Sequence, residues 1–266
     1  MNWLLHSAGL LSVGAALATP TQAQDAKTIV ERMVAAYRTA PRLHVRARLK
    51  AQPEFQALWK GVESFELRVE RPGRLLLTSW RREGGGSVRL AVACDGRTLW
   101  TIDPRSSRAV SSRAPARIEQ ISLDEVGLPE LEMLLHGRSP LEGLSPGDPP
   151  APPALAAPAR AAGADCHVLE LKGASPDGPA SMTCRIYVGQ QDYLIRGIVV
   201  EAAGKTPGDA RDLQVRFEVA YDMVTTTPAF APDAFRLPLP PSASPKPAGA
   251  KPPASPRTPR SAPHAG

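Results

Sequence analysis

The sequence has no long apolar run beyond its first 23 residues, few aromatics (5%), 3 cysteines, 5 histidines, and no acidic side chain in its last 29 residues. Each shortage excludes something. A polytopic membrane protein needs several apolar runs of about 20 residues and is excluded. Glycine, at 21 of 266 residues, is far too sparse for a collagen-like repeat, while the 42% hydrophobic fraction is too high for a wholly disordered chain. His44, His136 and His167 lack the close spacing of a metal-ligand set. Gly84-Gly85-Gly86 is not followed by the Lys-Ser/Thr that opens a helix after a phosphate loop. The acid-free tail also changes the meaning of the formal +6. Lys246, Lys251, Arg257 and Arg260 supply four of those charges and residues 1–23 carry none, which leaves +2 for the part between. Nucleic acid is therefore not expected as a partner.

Export is expected instead. A short start ending in His6 and Ser7, an apolar stretch from Ala8 to Ala18, and the small alternate residues of Thr21-Gln22-Ala23 read as a signal peptide over 1–23. The run is too short and too rich in Ala and Gly to span a bilayer well, and no cysteine follows it to carry a lipid anchor. The expected location is the periplasm, with no transmembrane span once the signal is removed. An oxidising compartment permits disulfides. A hairpin turning about residue 175 sets Cys166 opposite Cys184, so that pair is the expected bridge and Cys94 a buried free thiol.

From Asp25 to Arg38 the pattern is an amphipathic helix, with Asp25 as N-cap and Ala26, Ile29, Val30, Met33, Ala36 and Tyr37 on one face. The period then changes to two. Leu43, Val45, Ala47 and Leu49 alternate with Arg42, His44, Arg46, Arg48 and Lys50, the mark of a half-buried antiparallel strand. Alternation returns at Phe65, Leu67 and Val69. Turns at Arg71-Pro72-Gly73, Gly84–Gly86, Asp95-Gly96 and Pro104–Ser107 separate further short strands. A second helical segment follows, with a Ser122/Glu125 capping pattern, Pro129 starting its second piece, and Leu128, Leu131, Leu134 and Leu135 on its apolar face. Pro140 to Pro158 holds seven prolines and reads as an irregular linker or exposed loop. Strands resume over Cys166–Lys172, Met182–Val188, Tyr193–Glu201 and Leu213–Tyr221. Residues 238–266, with ten prolines, read as a disordered basic tail.

Nine or ten antiparallel strands without crossovers cannot form a parallel sheet. The expected fold is mainly β (α+β): a half-open, curved antiparallel barrel over residues 24–237, interrupted by a Pro-rich insert at 140–160, with two helices covering its mouth.

The Asp25–Tyr37 helix followed by a strand resembles the LolA/LolB-like superfamily. So do the Arg71-Pro72-Gly73-Arg74-Leu75 turn, the Asp95-Gly96-Arg97-Thr98-Leu99-Trp100 hairpin and the closing Pro228…Phe235-Arg236-Leu237-Pro238. More narrowly, they are similar to its periplasmic branch in Gram-negative bacteria. The resemblance implies a half-barrel with a helical lid, and a carrier of acyl chains, lipids or lipoproteins; other members sense lipoproteins.

Candidate chemistry is sparse. Cys94-Asp95 ends a strand before a turn, where a thiol packs and its neighbour points the other way, so no enzyme is expected and no cofactor or metal is assigned. The basic face of Arg42, Arg46, Arg48 and Lys50 fits either anionic head groups or a solvated surface neutralised by Glu66 and Glu70 across the sheet. The apolar interior remains. Its expected lining is Val45, Leu49, Phe65, Leu67, Leu77, Trp100, Leu131, Leu134, Val215 and Phe217, with Leu128–His136, between Gly127 and Gly137, as the moving part. The expectation is a monomer that binds a hydrophobic ligand there. The alternative is an envelope sensor or protein-interaction module with a packed core.

Overall fold

The computed structural model describes residues 25–51, 62–83, 86–103, 108–123, 129–141, 152–174, 181–205, 212–237 and 246–247. The expected signal peptide, the Glu125 half of the capping pattern, the first part of the Pro-rich insert and all of the tail save Lys246–Pro247 lie outside these residues.

The first helix, α1 (Ala26–Thr39), begins where Asp25 accepts a hydrogen bond from Thr28 N at 2.7 Å, which satisfies one of the free amides of its first turn. That bond, together with the hydroxyl of Thr28, holds the Asp25 carboxyl below its ordinary value. Its apolar face buries Ile29, Met33 and Tyr37. After Pro41 come β1 (Arg42–Ala51), β2 (Val62–Glu70), β3 (Arg74–Glu83), β4 (Gly86–Asp95), β5 (Thr98–Asp103) and β6 (Arg108–Arg113). A 3-10 turn at Ile118–Gln120 leads toward the short helix α2 (Pro129–Leu135). Then follow β7 (Ala154–Ala161), β8 (Ala164–Ala174), β9 (Ser181–Gly189), β10 (Ile195–Lys205) and β11 (Asp212–Thr225).

These eleven strands form one antiparallel sheet in the order β6-β5-β4-β3-β2-β1-β11-β10-β9-β8-β7. Two meanders are joined where β1 pairs with β11. Among the described residues β6 and β7 are not paired with each other, so the sheet is curved but unclosed. Lys246–Pro247 adds a two-residue parallel bridge beside β6 at Val110 and Ser111.

Every second residue of the central strands faces one continuous core. Leu43, Val45, Ala47 and Leu49 of β1 meet Phe65, Leu67 and Val69 of β2, Leu75 and Leu77 of β3, and Phe217, Val219 and Tyr221 of β11. Both helices seat on this face. Pro129 takes the first position of α2, where its missing N–H costs nothing. Gly137, at φ +74°, ends the helix: its N–H donates to Leu134 O and that of Arg138 to Met133 O, the paired bonds of a left-handed cap. A Cβ on Gly137 would stand 2.7 Å from Arg38 Cδ, so glycine also lets α1 and α2 approach.

The opposite face carries a smaller cluster. After β11 the chain turns back, and Phe235 packs on Leu76, Ala93 and Trp100 with Phe230 edge-on at 5.1 Å. Arg68 and Arg74 hold this closing segment by donating to Ala234 O and Pro232 O, each at 3.3 Å, and the Arg74 guanidinium lies 4.4 Å from the Phe235 ring centroid. Trp100 therefore belongs to this outer cluster and not to the interior where it was expected. It is Leu99, opposite Cys94, that packs toward the core.

Two more expectations are corrected. The Pro140–Pro158 stretch is not all loop, because Ala154–Ala161 pairs with β8. Pro158 falls where the register shifts between Ala156 and Ala159, on an edge strand, the setting in which proline is tolerated in a sheet. The turn that follows, Ala162-Gly163, has positive φ at both residues (48° and 77°), as a tight hairpin needs. The Cys166–Cys184 bridge is overturned by register. Cys166 pairs with Gly189 and Cys184 with Leu171, because the hairpin closes at Ala174 and Ser181, later than a turn about residue 175. The two cysteines are thus five residues out of step and on opposite faces, about 17 Å apart along the strands. All three cysteines are free and buried.

Two outcomes follow from this packing. Protein unfolded without reductant should label at three thiols by mass, and two blocked thiols would contradict the register. Phe235→Ala should lower the unfolding free energy by about 3–5 kcal/mol in denaturant titration, since it empties the outer cluster.

Candidate functional site

Of the expected lining, Val45, Leu49, Phe65, Leu67, Leu77, Leu131, Leu134 and Phe217 are all buried in the one core between sheet and helices. Trp100 lies on the other face, and the side chain of Val215 falls outside the described residues. The structure adds what the apolar pattern missed, a polar centre inside this core.

Glu130, in the first turn of α2, is 2% exposed, and neither carboxyl oxygen has a hydrogen-bond partner. Burial pushes its carboxyl up to about 8, with only its own backbone N–H pulling the other way. At neutral pH it is a protonated acid, one O–H donor with acceptor capacity left. The Tyr221 hydroxyl, reaching in from β11, is also buried without a partner. Burial raises Tyr221 well above the ordinary range, and charge on Tyr37 or Glu130 adds to the rise, which places the three groups in one region. The Cys184 thiol belongs there too: burial, then charge on Glu130, push it up to about 12. Tyr37 is the satisfied member, its hydroxyl accepting from Ile195 N at 3.1 Å. Ser79 Oγ is a further unpartnered group, on β3. Leaving such a group buried and unbonded costs about 1–3 kcal/mol, so a core used only for packing would gain from apolar residues at these positions.

The signal for Glu130 was present in the sequence. It lies four residues before Leu134 and one before Leu131, an acid inside an apolar stripe. Tyr221 gave no comparable sign, since a tyrosine ending an alternating strand packs as often as it binds.

The other candidates are not brought together. Among the described residues no group of three or more His, Cys, Asp and Glu is placed to hold a metal ion. Cys94 is buried in the core, its thiol raised by burial and by Asp95 against a bond from the Gly96 backbone, while the Asp95 carboxylate caps its turn by accepting from Arg97 N and Thr98 N at 2.8 Å each. The arginines of the basic strand face are paired across the sheet. Arg42 meets Glu70 at 2.8 Å, Arg46 lies 3.7 Å from Glu66, and Arg48 holds Asp222 with two bonds of 2.7 and 2.6 Å. Burial opposes ionisation of Glu66, but bonds from His44 and Arg68 with the charges of Arg68 and Arg46 outweigh it and lower its pKa. Two clefts, of about 480 and 260 Å³, open beside Arg196; the larger is lined also by Arg160 and Arg216 and, of the core residues, by Val219 and Tyr221. Arg160, Arg196 and Arg216 are paired with Asp165, Asp192 and Glu201.

The buried acid has a signature in stability. Its ordinary value is 4.5 and its folded value about 8. Between the two, the unfolded chain is ionised at this position and the folded one is not, so the contribution of Glu130 to stability is most favourable below 4.5 and falls as pH rises to about 8, by up to about 1.4 kcal/mol per unit. Glu130→Gln should remove that decline. Urea titrations of both proteins from pH 5 to 8 check it: the difference should move steadily in favour of the variant, and a flat difference would contradict the burial.

No protein-family model matches the chain, and no curated protein matches it. Solved structures do show a likeness. The chain is similar to a LolA superfamily protein from Nitrosomonas europaea, at 13% identity over 80% of this chain and 98% of that one, with a TM-score of 0.28. It is also similar to a DUF1329 family protein from Desulfovibrio piger, at 10% identity over 79% and 96%, with a TM-score of 0.27.

Proposed function

We propose that this is an exported periplasmic protein that binds or carries a hydrophobic ligand, an acyl chain or lipid, between its open sheet and its helices. The observation that carries the reading is the pair of fully buried, unpartnered polar groups, Glu130 and Tyr221, set in a largely apolar interior. The energetics suffice without a polar anchor. Each buried methylene contributes about 0.8 kcal/mol, so a chain of roughly sixteen carbons gains on the order of 13 kcal/mol before association and ordering costs. Entry requires the cover to lift. The seven-residue α2, too short to be stable away from the sheet, pivots at Gly137 and closes again over the ligand.

The alternative, an envelope sensor or interaction module without a transported ligand, is favoured by how completely the leucines of α2 are buried against the sheet. One pair of measurements separates the two. Mass spectrometry of solvent extracts from protein purified from its native periplasm should find a co-purifying lipid, and a fluorescent acyl probe should bind the stripped protein with micromolar or tighter affinity. Absence of both results would rule out the carrier reading and leave the interaction module.

A further inference from the structure

Two of the orphaned groups of the interior, which also holds Ser79 Oγ, come from its two layers, helix and sheet. Glu130 belongs to α2, the cover, and Tyr221 to β11, the floor. Both lack a hydrogen-bond partner, whereas the large majority of buried side-chain polar atoms have one. Two such groups, one on a helix and one on a strand of a single interior, are what the polar end of a ligand would satisfy.

We propose that Glu130 and Tyr221 clamp the head of the ligand, and that they select an alkyl chain carrying an uncharged carbonyl, as in an acyl ester or amide, over the free carboxylate. This rests on the reading of the interior as a site for apolar ligands. The chemistry runs through donors and charge. A protonated carboxyl and a phenol each offer one O–H, and a carbonyl oxygen has two lone pairs to receive them, one from the cover and one from the floor. A carboxylate would accept the same two bonds but would carry a net charge into the interior, where it needs a counter-ion. Among the described residues no charged side chain shifts Glu130, and only Tyr37 and Glu130 shift Tyr221. The cation that acts on Tyr37, Arg196, is paired with Asp192. The nearby cation at the end of α2, Arg71, is committed to Glu119 and to the carbonyls of Tyr37 and Leu135. The Tyr37 hydroxyl is already engaged with Ile195 N.

The test compares a fluorescent monoacylglycerol with the fluorescent fatty acid of the same chain length, titrated at pH 7 into purified, delipidated protein. The wild type should bind the ester at least about tenfold more tightly than the acid. Tyr221→Phe, which removes one oxygen and no volume, should cut that ratio several-fold, as should Glu130→Leu. Glu130→Gln keeps an N–H donor and should preserve most of it. Equal affinities in the wild type would overturn the clamp, and so would a ratio unchanged in Tyr221→Phe and Glu130→Leu, the result expected if trapped water serves the two groups. Should Glu130→Leu fail to fold, Tyr221→Phe decides alone. Binding of neither probe to the wild type would instead bring down the reading of the interior, and the clamp with it.

Discussion

The arrangement depends on two helices being held against the apolar face of a sheet that does not close on itself. A closed barrel covers its own inner face, but an open one leaves a wide apolar surface that something else must cover. Here one side chain fastens the covers. Arg71, in the turn between β2 and β3, donates to the carbonyls of Tyr37 in α1 and Leu135 in α2 and pairs with Glu119 after β6. A cation is favoured at both positions, because each helix presents unsatisfied carbonyls at its C-terminal end. Tyr37 is tied at its other end as well, its hydroxyl accepting from Ile195 N in β10. One residue of α1 thus bridges the two meanders. Further up the same helix, Arg32 donates to the Tyr193 hydroxyl at 2.6 Å in the turn between β9 and β10.

Much of this was legible in the sequence because period and punctuation agree. Asp25 caps α1 as its side chain predicts, and the alternation in β1, β2 and β11 sorts core from surface without error at Val45, Leu67 and Phe217. Asp95-Gly96 turns as expected, with Gly96 at φ +90°. Cross-strand partners followed from the same reasoning: Arg46 lies opposite Glu66 and Arg42 opposite Glu70. What failed was whatever depended on count or register. A few residues' difference in where the β8–β9 hairpin closes moves Cys166 and Cys184 out of step, and an odd step reverses a face. Trp100 was misplaced for the same reason, since parity within a short strand such as β5 cannot be fixed by pattern when Thr98, Trp100 and Ile102 compete with Leu99 and Thr101. Pro158 hid β7, because the rule that proline breaks strands does not hold at an edge bulge.

The site was legible in its apolar part and missed in its polar part. Periodicity finds what is hydrophobic in common among Leu131, Leu134 and Phe65. It gives no weight to a lone Glu130 in the stripe, which ordinarily would be placed on the solvated edge of a helix. Only tertiary packing shows that the first turn of α2 faces inward, so that an acid is carried beneath the cover with it.

That placement ties stability to function. A leucine at position 130 would strengthen the seat of α2 on the sheet, whereas an acid there, protonated and unbonded, weakens it. The seven residues of α2 are held by Leu131, Leu134 and Leu135, by Arg71 at one end, and by the hydrogen bond from Leu123 N to Glu132 at the other. Against those anchors Glu130 subtracts and weakens the seat of α2, while α1 is held through Tyr37 and Arg32. Where burial is made less favourable at one position of a short element, the free energy of opening falls toward a range that a bound molecule can recover by supplying the missing hydrogen bonds. In the proposed carrier the polar centre and the moving cover are one feature: the group that weakens closure is also the group that a ligand would satisfy.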